Sequence, residues 1–364
     1  MSELPTRRLE AWRWADLRHA EALMAVPAPA NDAMPDLEAL ALPVPAVRAV
    51  IAGGRVVDAA GRPAHPAPDR SLAPHPLADI AAAEARAGLV IEVGKGEDGG
   101  LMECIHLGTA GAAHSVLRVE LAAGARLTLV ETVADAETDH WSNIRLDARL
   151  AEGAVLERVL RVETGHGLAS TRAHVSLGPS ARLVDISFVA SPAAVRTETH
   201  VRLEGEGAHA RVNGVLLAGG AAALDSVTRL HHAVPHTASR QTWRLLATDT
   251  GQASIAGGVA VARLAQKTDA QQSLRGLLLK RTGAVNLKPE LEILADDVAC
   301  AHGCTVGEID PLQRFYLESR GVPRAEAQAV LMQAFAAEAL DALADPRLHE
   351  PLSAALARRL EALA

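Results

Sequence analysis

A chain of 364 residues with a formal net charge of −8 and no run of Lys or Arg lacks the basic patch needed to bind a nucleic-acid backbone. Apolar residues make up 49% and aromatic residues only 2%, so the core must be built from Ala, Val and Leu in many small layers rather than around a ring-lined cavity. Three cysteines (Cys104, Cys300 and Cys304) do not make a disulfide scaffold, and no run of eighteen apolar residues is present to span a membrane.

The opening M-S-E-L-P-T-R-R-L-E-A-W-R-W is charged throughout and does not read as a secretory signal, so a reducing cytoplasm is the expected setting. An amphipathic helix is predicted over Leu9–Met24, within a mixed N-terminal region taken as residues 1–85. The run P-A-H-P-A-P-D-R-S-L-A-P-H-P, 63–76, is too rich in proline for helix or central strand and reads as a linker. In G-L-V-I-E-V-G-K-G, 88–96, five residues separate Gly88 from Gly94 where a phosphate-binding loop needs four. Gly96 also stands where Ser or Thr should hold magnesium, so ATP hydrolysis by that route is not expected. Cys104 and His106 alternate along L-M-E-C-I-H-L as an ordinary strand would, and are not expected to be ligands.

The middle of the chain, taken as a core over 86–298, repeats. R-V-E-L-A-A-G-A-R-L-T-L from Arg118, D-A-R-L-A-E-G-A-V-L-E-R from Asp147, H-V-S-L-G-P-S-A-R-L-V-D from His174 and H-V-R-L-E-G-E-G-A-H-A-R from His200 share one pattern. Each places short strands of alternating polarity on either side of a Gly-containing turn. Their leucines, Leu121, Leu150, Leu177 and Leu203, are followed in phase by Leu230, at spacings of 29, 27, 26 and 27 by subtraction. A period in this range built only from strands points to a β-helix, or solenoid, with a hairpin-built β-sandwich as the alternative. The fold class is therefore mainly β, with helical regions flanking the solenoid. His231, His232 and His236 read as a solvent-facing turn.

The stretch D-D-V-A-C-A-H-G-C-T-V-G-E-I-D, 296–310, carries the chemistry. Cys300, His302 and Cys304 fall at i, i+2 and i+4 and share one face of a strand. At about 3.3 Å rise per residue the two thiols are about 13 Å apart, too far to close on one ion, so the face is half a site. Three readings stay open: metal or iron–sulfur ligation, a Cys–His nucleophilic pair in a stand-alone enzyme, or a core strand with a satisfied histidine. Gly303 is expected to bend the strand and separate Cys304 from the pair, while Asp296 and Asp297 shape a turn. Beyond them helices are predicted: one capped by Asp310 with Pro311 at its first position and Arg320-Gly321 at its end, one from Pro323 carrying Leu331, Ala334 and Phe335 on one side, and one with Leu352, Leu356, Leu360 and Leu363. The region 299–364 thus holds the end of the core and helices that either cap the solenoid or dock a partner.

These residues resemble the SufB/SufD family of iron–sulfur cluster assembly. The resemblance lies in K-P-E-L-E-I-L-A-D-D-V-A-C-A-H-G-C-T-V-G-E-I-D continuing through F-Y-L-E-S-R-G-V (288–322), in A-Q-K-T-D-A-Q-Q (265–272) with L-L-L (277–279), and in P-T-R-R-L-E-A-W-R-W, the opening of SufD-type members. It implies a right-handed parallel β-helix that pairs with a SufB-type scaffold and docks a SufC-type ATPase through C-terminal helices. A transient cluster would form at the interface between the two scaffold chains. It also implies that Cys300 and His302 are the chain's metal-facing residues; Cys304, a departure from the family's usual Ala, is either a spare ligand or a small core residue. A flavin in the complex and a homodimer of the chain alone are both compatible with the resemblance, and neither is assigned by it.

Overall fold

The computed structural model describes residues 4–26, 40–44, 46–58, 62–63, 75–85, 87–135 and 139–363; the predicted linker falls largely outside them. Among the described residues the strands are β1 (Val47–Ala52), β2 (Arg55–Asp58), β3 (Arg62–Pro63), β4 (Ala87–Val93), β5 (Asp98–Gly108), β6 (Gly111–Leu121), β7 (Arg126–Asp135), β8 (His140–Leu150), β9 (Val155–Val162) and β10 (Leu168–Leu177). They continue as β11 (Arg182–Ala190), β12 (Ala194–Leu203), β13 (His209–Ala218), β14 (Ala223–His232), β15 (Ala238–Ala247), β16 (Gln252–Val261), β17 (Asp269–Leu278), β18 (Ala284–Ile293) and β19 (Ala299–Gly307).

From β4 onward consecutive strands alternate between two sheets, so each strand pairs in parallel with those two steps away. That is a parallel solenoid, and it excludes the hairpin-built sandwich. Among the described residues antiparallel pairs occur only where β2 meets β1 and β3 meets β4.

The register runs Leu121↔Leu150↔Leu177↔Leu203, as the repeat requires, but Leu203 then pairs with His232 rather than Leu230. A slip of two residues keeps every side chain on its face, so alternation could not detect it. Between the even and the following odd strand, each coil turns through one residue in the left-handed region: Gly96, Gly124, Gly153, Ser180, Gly207, His236 and Lys267. The N–H of each accepts no slack, because it donates to a carbonyl of the next coil's turn, from Gly96 to Ala123 through to Lys267 to Asp297. Glycine takes this conformation without strain, which is why the repeat shows glycine turns.

The space between the sheets is filled by Leu, Val and Ala, among them Leu129, Leu156, Leu183, Leu216, Leu245 and Leu274. A large ring enters at Trp243, where the neighbouring rung is Gly214. His231 and His232 lie on β14 rather than in a turn, and His232 is fully buried between the sheets, its ring nitrogens 2.7 Å from Thr237 Oγ1 and 2.8 Å from Ser239 Oγ. Burial pushes its pKa down to about 4, so it is a neutral core histidine.

Helices cover the outer faces. The predicted helix over Leu9–Met24 is instead a 3-10 turn, Glu10–Trp12, and a short α1 (Ala20–Met24). Arg7 donating to the Ala15 carbonyl and Arg18 to Asp16 occupy the connection, and Arg196 stacks over Trp12 at 3.8 Å, so tertiary anchoring overrides the pattern. Pro76 opens helix α2 (Pro76–Glu84), capped by the His75 ring, whose Leu77 and Ile80 pack with Trp12, Trp141 and Leu168 on the even sheet.

At the other end Asp310 caps helix α3 (Pro311–Ser319), which closes at Gly321. Helix α4 (Arg324–Ala337) buries Ala327, Met332 and Ala336 rather than the predicted face, and Ala334 is exposed. Helix α5 (Pro346–Glu361) buries Leu348, Leu352, Leu356 and Leu360. Both lie along the outer face of the odd sheet, over Val159, Phe188, Val215 and Leu246, and so do not cap an end of the solenoid. Among the described residues no helix is long and apolar enough to cross a membrane.

Candidate functional site

The last coil of the solenoid is open. β19 pairs with β17 on one side only, from Asp269↔Ala299 to Leu277↔Gly307, and β18 likewise ends the even sheet. Two adjacent parallel strand edges are thus left without a neighbouring strand among the described residues, a ready template for another chain.

The interior face of the odd sheet continues onto β19. Cys300, His302 and Cys304 are the rungs beyond Ala270, Gln272 and Leu274, of which Ala270 and Leu274 belong to the core. Cys300 is half-buried against that core, while His302 and Cys304 are exposed. The pairing with β17 shows no shift at Gly303, so the expected bend is absent and all three side chains stay on one face. Among the described residues no three His, Cys, Asp or Glu side chains are placed to hold a metal ion.

The electrostatics argue against an activated nucleophile. Burial pushes the Cys300 thiol up, the Ala270 N–H opposes it and Asp269 adds to it. A thiol held protonated is a poor attacking group, whereas a thiophilic metal displaces the proton on binding.

Two neighbours of this face were not legible as such in the sequence. Trp14 reaches the end coil and lines a cleft of about 350 Å³ with Leu287, Cys304 and Val306. It is held there by the Glu10–Lys288 ion pair at 2.5 Å and by Arg196 donating to the Ala11 carbonyl at 2.9 Å. The other is Gln272, the rung beneath His302, which lies inside the A-Q-K-T-D-A-Q-Q run.

Three residues beyond β19, helix α3 buries no side chain. Leu312, Phe315 and Tyr316 are 76%, 66% and 58% exposed at helical spacing, an apolar stripe beside the open coil.

The remaining candidates are structural. Cys104 is core, and His106 is buried 3.4 Å from Glu131. Burial disfavours its charge, but Cys104 and Glu131 outweigh burial and push the imidazole up to about 10. Asp297 shapes its turn, accepting the Lys267 N–H and donating its own to Gln266. His236 holds a left-handed turn position. The G-L-V-I-E-V-G-K-G run forms β4 and a turn into β5, with no helix to receive a phosphate. A groove of about 700 Å³ on the even sheet is lined by Arg172, Arg202 and Arg229, each paired with a carboxylate, Glu198, Glu204 and Glu290.

Comparison with known proteins bears directly on this end coil. The family model "SUF system FeS cluster assembly, SufBD core domain" matches residues 105–335, a span that includes β19 and α3. The chain is 32% identical over 379 residues to the iron–sulfur cluster assembly protein SufD of Escherichia coli (strain K12), covering 98% of this chain and 89% of that protein. It is 41% identical over 116 residues to a SufBD family protein of Synechocystis, covering 32% of this chain and 25% of that protein. It is 33% identical over 97 residues to the SufD of Bacillus subtilis (strain 168), covering 27% and 22%.

Proposed function

Since the chain belongs to the SufBD family of iron–sulfur cluster assembly proteins, we propose that it is a non-ATPase scaffold subunit on which a nascent cluster, as cargo, is assembled at the junction with a SufB-type chain. The reading places it in the cytoplasm. The observation that carries it is the open end coil, where Cys300 and His302 form half a donor set on a strand whose outer edge has no neighbouring strand among the described residues.

In this reading β18 and β19 pair edge to edge with the SufB-type scaffold, continuing the sheets across the junction. Main-chain hydrogen bonds give affinity and the alternate side chains give register. Closing the junction excludes water from the face bearing Cys300 and His302 and brings the partner's donors opposite them. The imidazole and the thiolate formed on losing the Cys300 proton are then ligands matched to iron. Without that partner, the same edges would let a second copy of the chain take its place.

The ATPase docks on helix α3, whose Leu312, Phe315 and Tyr316 stripe is the apolar surface nearest the site. Helices α4 and α5 are committed to covering the odd sheet, which narrows the docking surface to α3 and the outer sides of its neighbours. Only Glu308, Ile309 and Asp310 separate β19 from α3, so a displacement of α3 by a SufC-type ATPase is transmitted to the strand carrying Cys300 and His302.

The test is iron and acid-labile sulfide in the complex purified anaerobically after co-expression with SufB-type and SufC-type partners, wild type against His302→Ala. The mutant is first shown to assemble the same complex. Loss of both elements is expected; unchanged content would leave this chain a structural subunit with the chemistry on its partner.

A further inference from the structure

His302 is the last rung of an interior column of the solenoid that is polar at every rung from Arg158 onward except Val212. Arg158, Asp185, Val212, Gln241, Gln272 and His302 occupy successive positions on the interior face of the odd sheet. The polar side chains below Gln272 are bonded: Arg158 donates to Glu131 at 2.5 Å and to Asp185 at 2.8 Å, and Thr199 donates to Asp185 at 2.8 Å. Gln241 accepts from Thr228 at 2.5 Å.

The column changes character at Gln272. The residue is 4% exposed, yet among the described residues neither its side-chain oxygen nor its nitrogen has a hydrogen-bond partner. Across from it on the opposite sheet stands Gly257, where a Cβ would lie 3.4 Å from Gln272 Nε2 and 3.4 Å from Gln241 Oε1. An amide buried with both ends unbonded is destabilising, and an apolar side chain of the same shape would be the better core residue. Successive rungs of a parallel sheet are about 4.8 Å apart, so the polar group next in line is the His302 ring.

We propose that Gln272 is the positioning residue for His302. When a partner strand covers the end coil, the His302 imidazole donates one ring N–H to Gln272 Oε1. The other nitrogen is thereby left unprotonated and directed across the junction toward the cargo. A histidine that ligates a metal usually donates its second nitrogen to a fixed acceptor, which sets tautomer and ring orientation. This inference rests on the cluster-scaffold reading above and adds to it the group that makes His302 a ligand.

The decisive variant is Gln272→Met, which keeps length and volume and removes the acceptor, compared with Gln272→Glu, which keeps an acceptor at the same reach. Each is co-expressed with SufB-type and SufC-type partners beside His302→Ala, and the isolated full chain is melted in parallel. The expected result is a Gln272→Met chain that melts at or above the wild-type temperature and assembles the complex, but whose iron and labile sulfide fall at least threefold, with Gln272→Glu retaining most of both. A lower melting temperature, failed assembly, or wild-type cargo in Gln272→Met each overturns the inference by making Gln272 a packing residue. Cargo lost in His302→Ala but kept in Gln272→Met sinks this inference alone; cargo kept in His302→Ala removes the scaffold reading and this inference with it.

Discussion

Gly214 and Trp243 are neighbouring rungs of one interior column, and a Cβ at position 214 would stand 2.3 Å from the indole ring. The ring fits a narrow solenoid only because the rung beneath it has no side chain. Gly214→Ala is therefore expected to lower stability by about 2–3 kcal/mol, the scale of core overpacking. In a Trp243→Leu background the same substitution should cost at most about 1 kcal/mol, since the clash is gone. Denaturant midpoints for the four chains measure the coupling, and additive effects would show that the ring and the glycine do not constrain each other.

The buried His106–Glu131 pair makes stability depend on pH in a stated window. Ser115 Oγ faces His106 Nδ1 at 3.4 Å, Cys104 lies on the same strand two residues away, and Arg158 faces Glu131 at 2.5 Å. The His106 pKa is raised from 6.5 to about 10, so its stabilisation is complete below 6.5 and disappears as pH rises toward 10. The Glu131 pKa is lowered from 4.5 to about 2 because Arg158 and His106 outweigh burial, so its share is complete above 4.5 and lost in acid. Stability from this pair should be flat between those limits and fall above pH 6.5 with a slope approaching roughly 1.4 kcal/mol per pH unit. In His106→Gln the alkaline slope should vanish; if it persists, another group is titrating.

Helices α4 and α5 form one core with the odd sheet. Leu352→Ala should cost about 2–5 kcal/mol, as a large-to-small change at a fully buried position does. Removing residues 323–364 would strip the cover from Val159, Phe188, Val215 and Leu246, and insoluble chain is the expected product. The proposed docking surface is tested without that damage by Leu312→Ser with Phe315→Ser. These exposed side chains should change stability by less than about 0.5 kcal/mol while weakening ATPase binding at least tenfold. Binding that survives the double substitution would move the docking surface off α3.

The sequence carried faces better than registers. Period and alternation located the solenoid and the side of β19 that holds Cys300, His302 and Cys304, because a strand's geometry fixes which residues share a face. They could not distinguish Leu230 from His232 as the partner of Leu203, since a two-residue slip leaves the pattern intact. Asp310 and Pro311 marked the start of α3 through local capping chemistry. The buried face of α4 was illegible because R-A-E-A-Q-A-V-L-M-Q-A-F-A-A places small apolar residues all round, so only contact with the sheet selects Met332 over Ala334. Trp14 lies far from Cys304 in sequence, and no local signal brings them together.

The three thiols give the open coil its most direct probe. Cys104 is enclosed between the sheets, Cys300 is half-buried with its thiol held protonated, and Cys304 is exposed beside Trp14. Since alkylation needs both access and thiolate, iodoacetamide at neutral pH should label Cys304 first, Cys300 more slowly, and Cys104 only on unfolding. Labelling at Cys304 should also perturb Trp14 emission, the two sharing one cleft. If a SufB-type chain pairs along β19, the assembled complex should lose reactivity at both Cys304 and Cys300 by at least tenfold, read by mass spectrometry of the digested chain. A complex in which Cys304 reacts as fast as in the free chain would place the partner elsewhere and leave the edge of the solenoid uncovered.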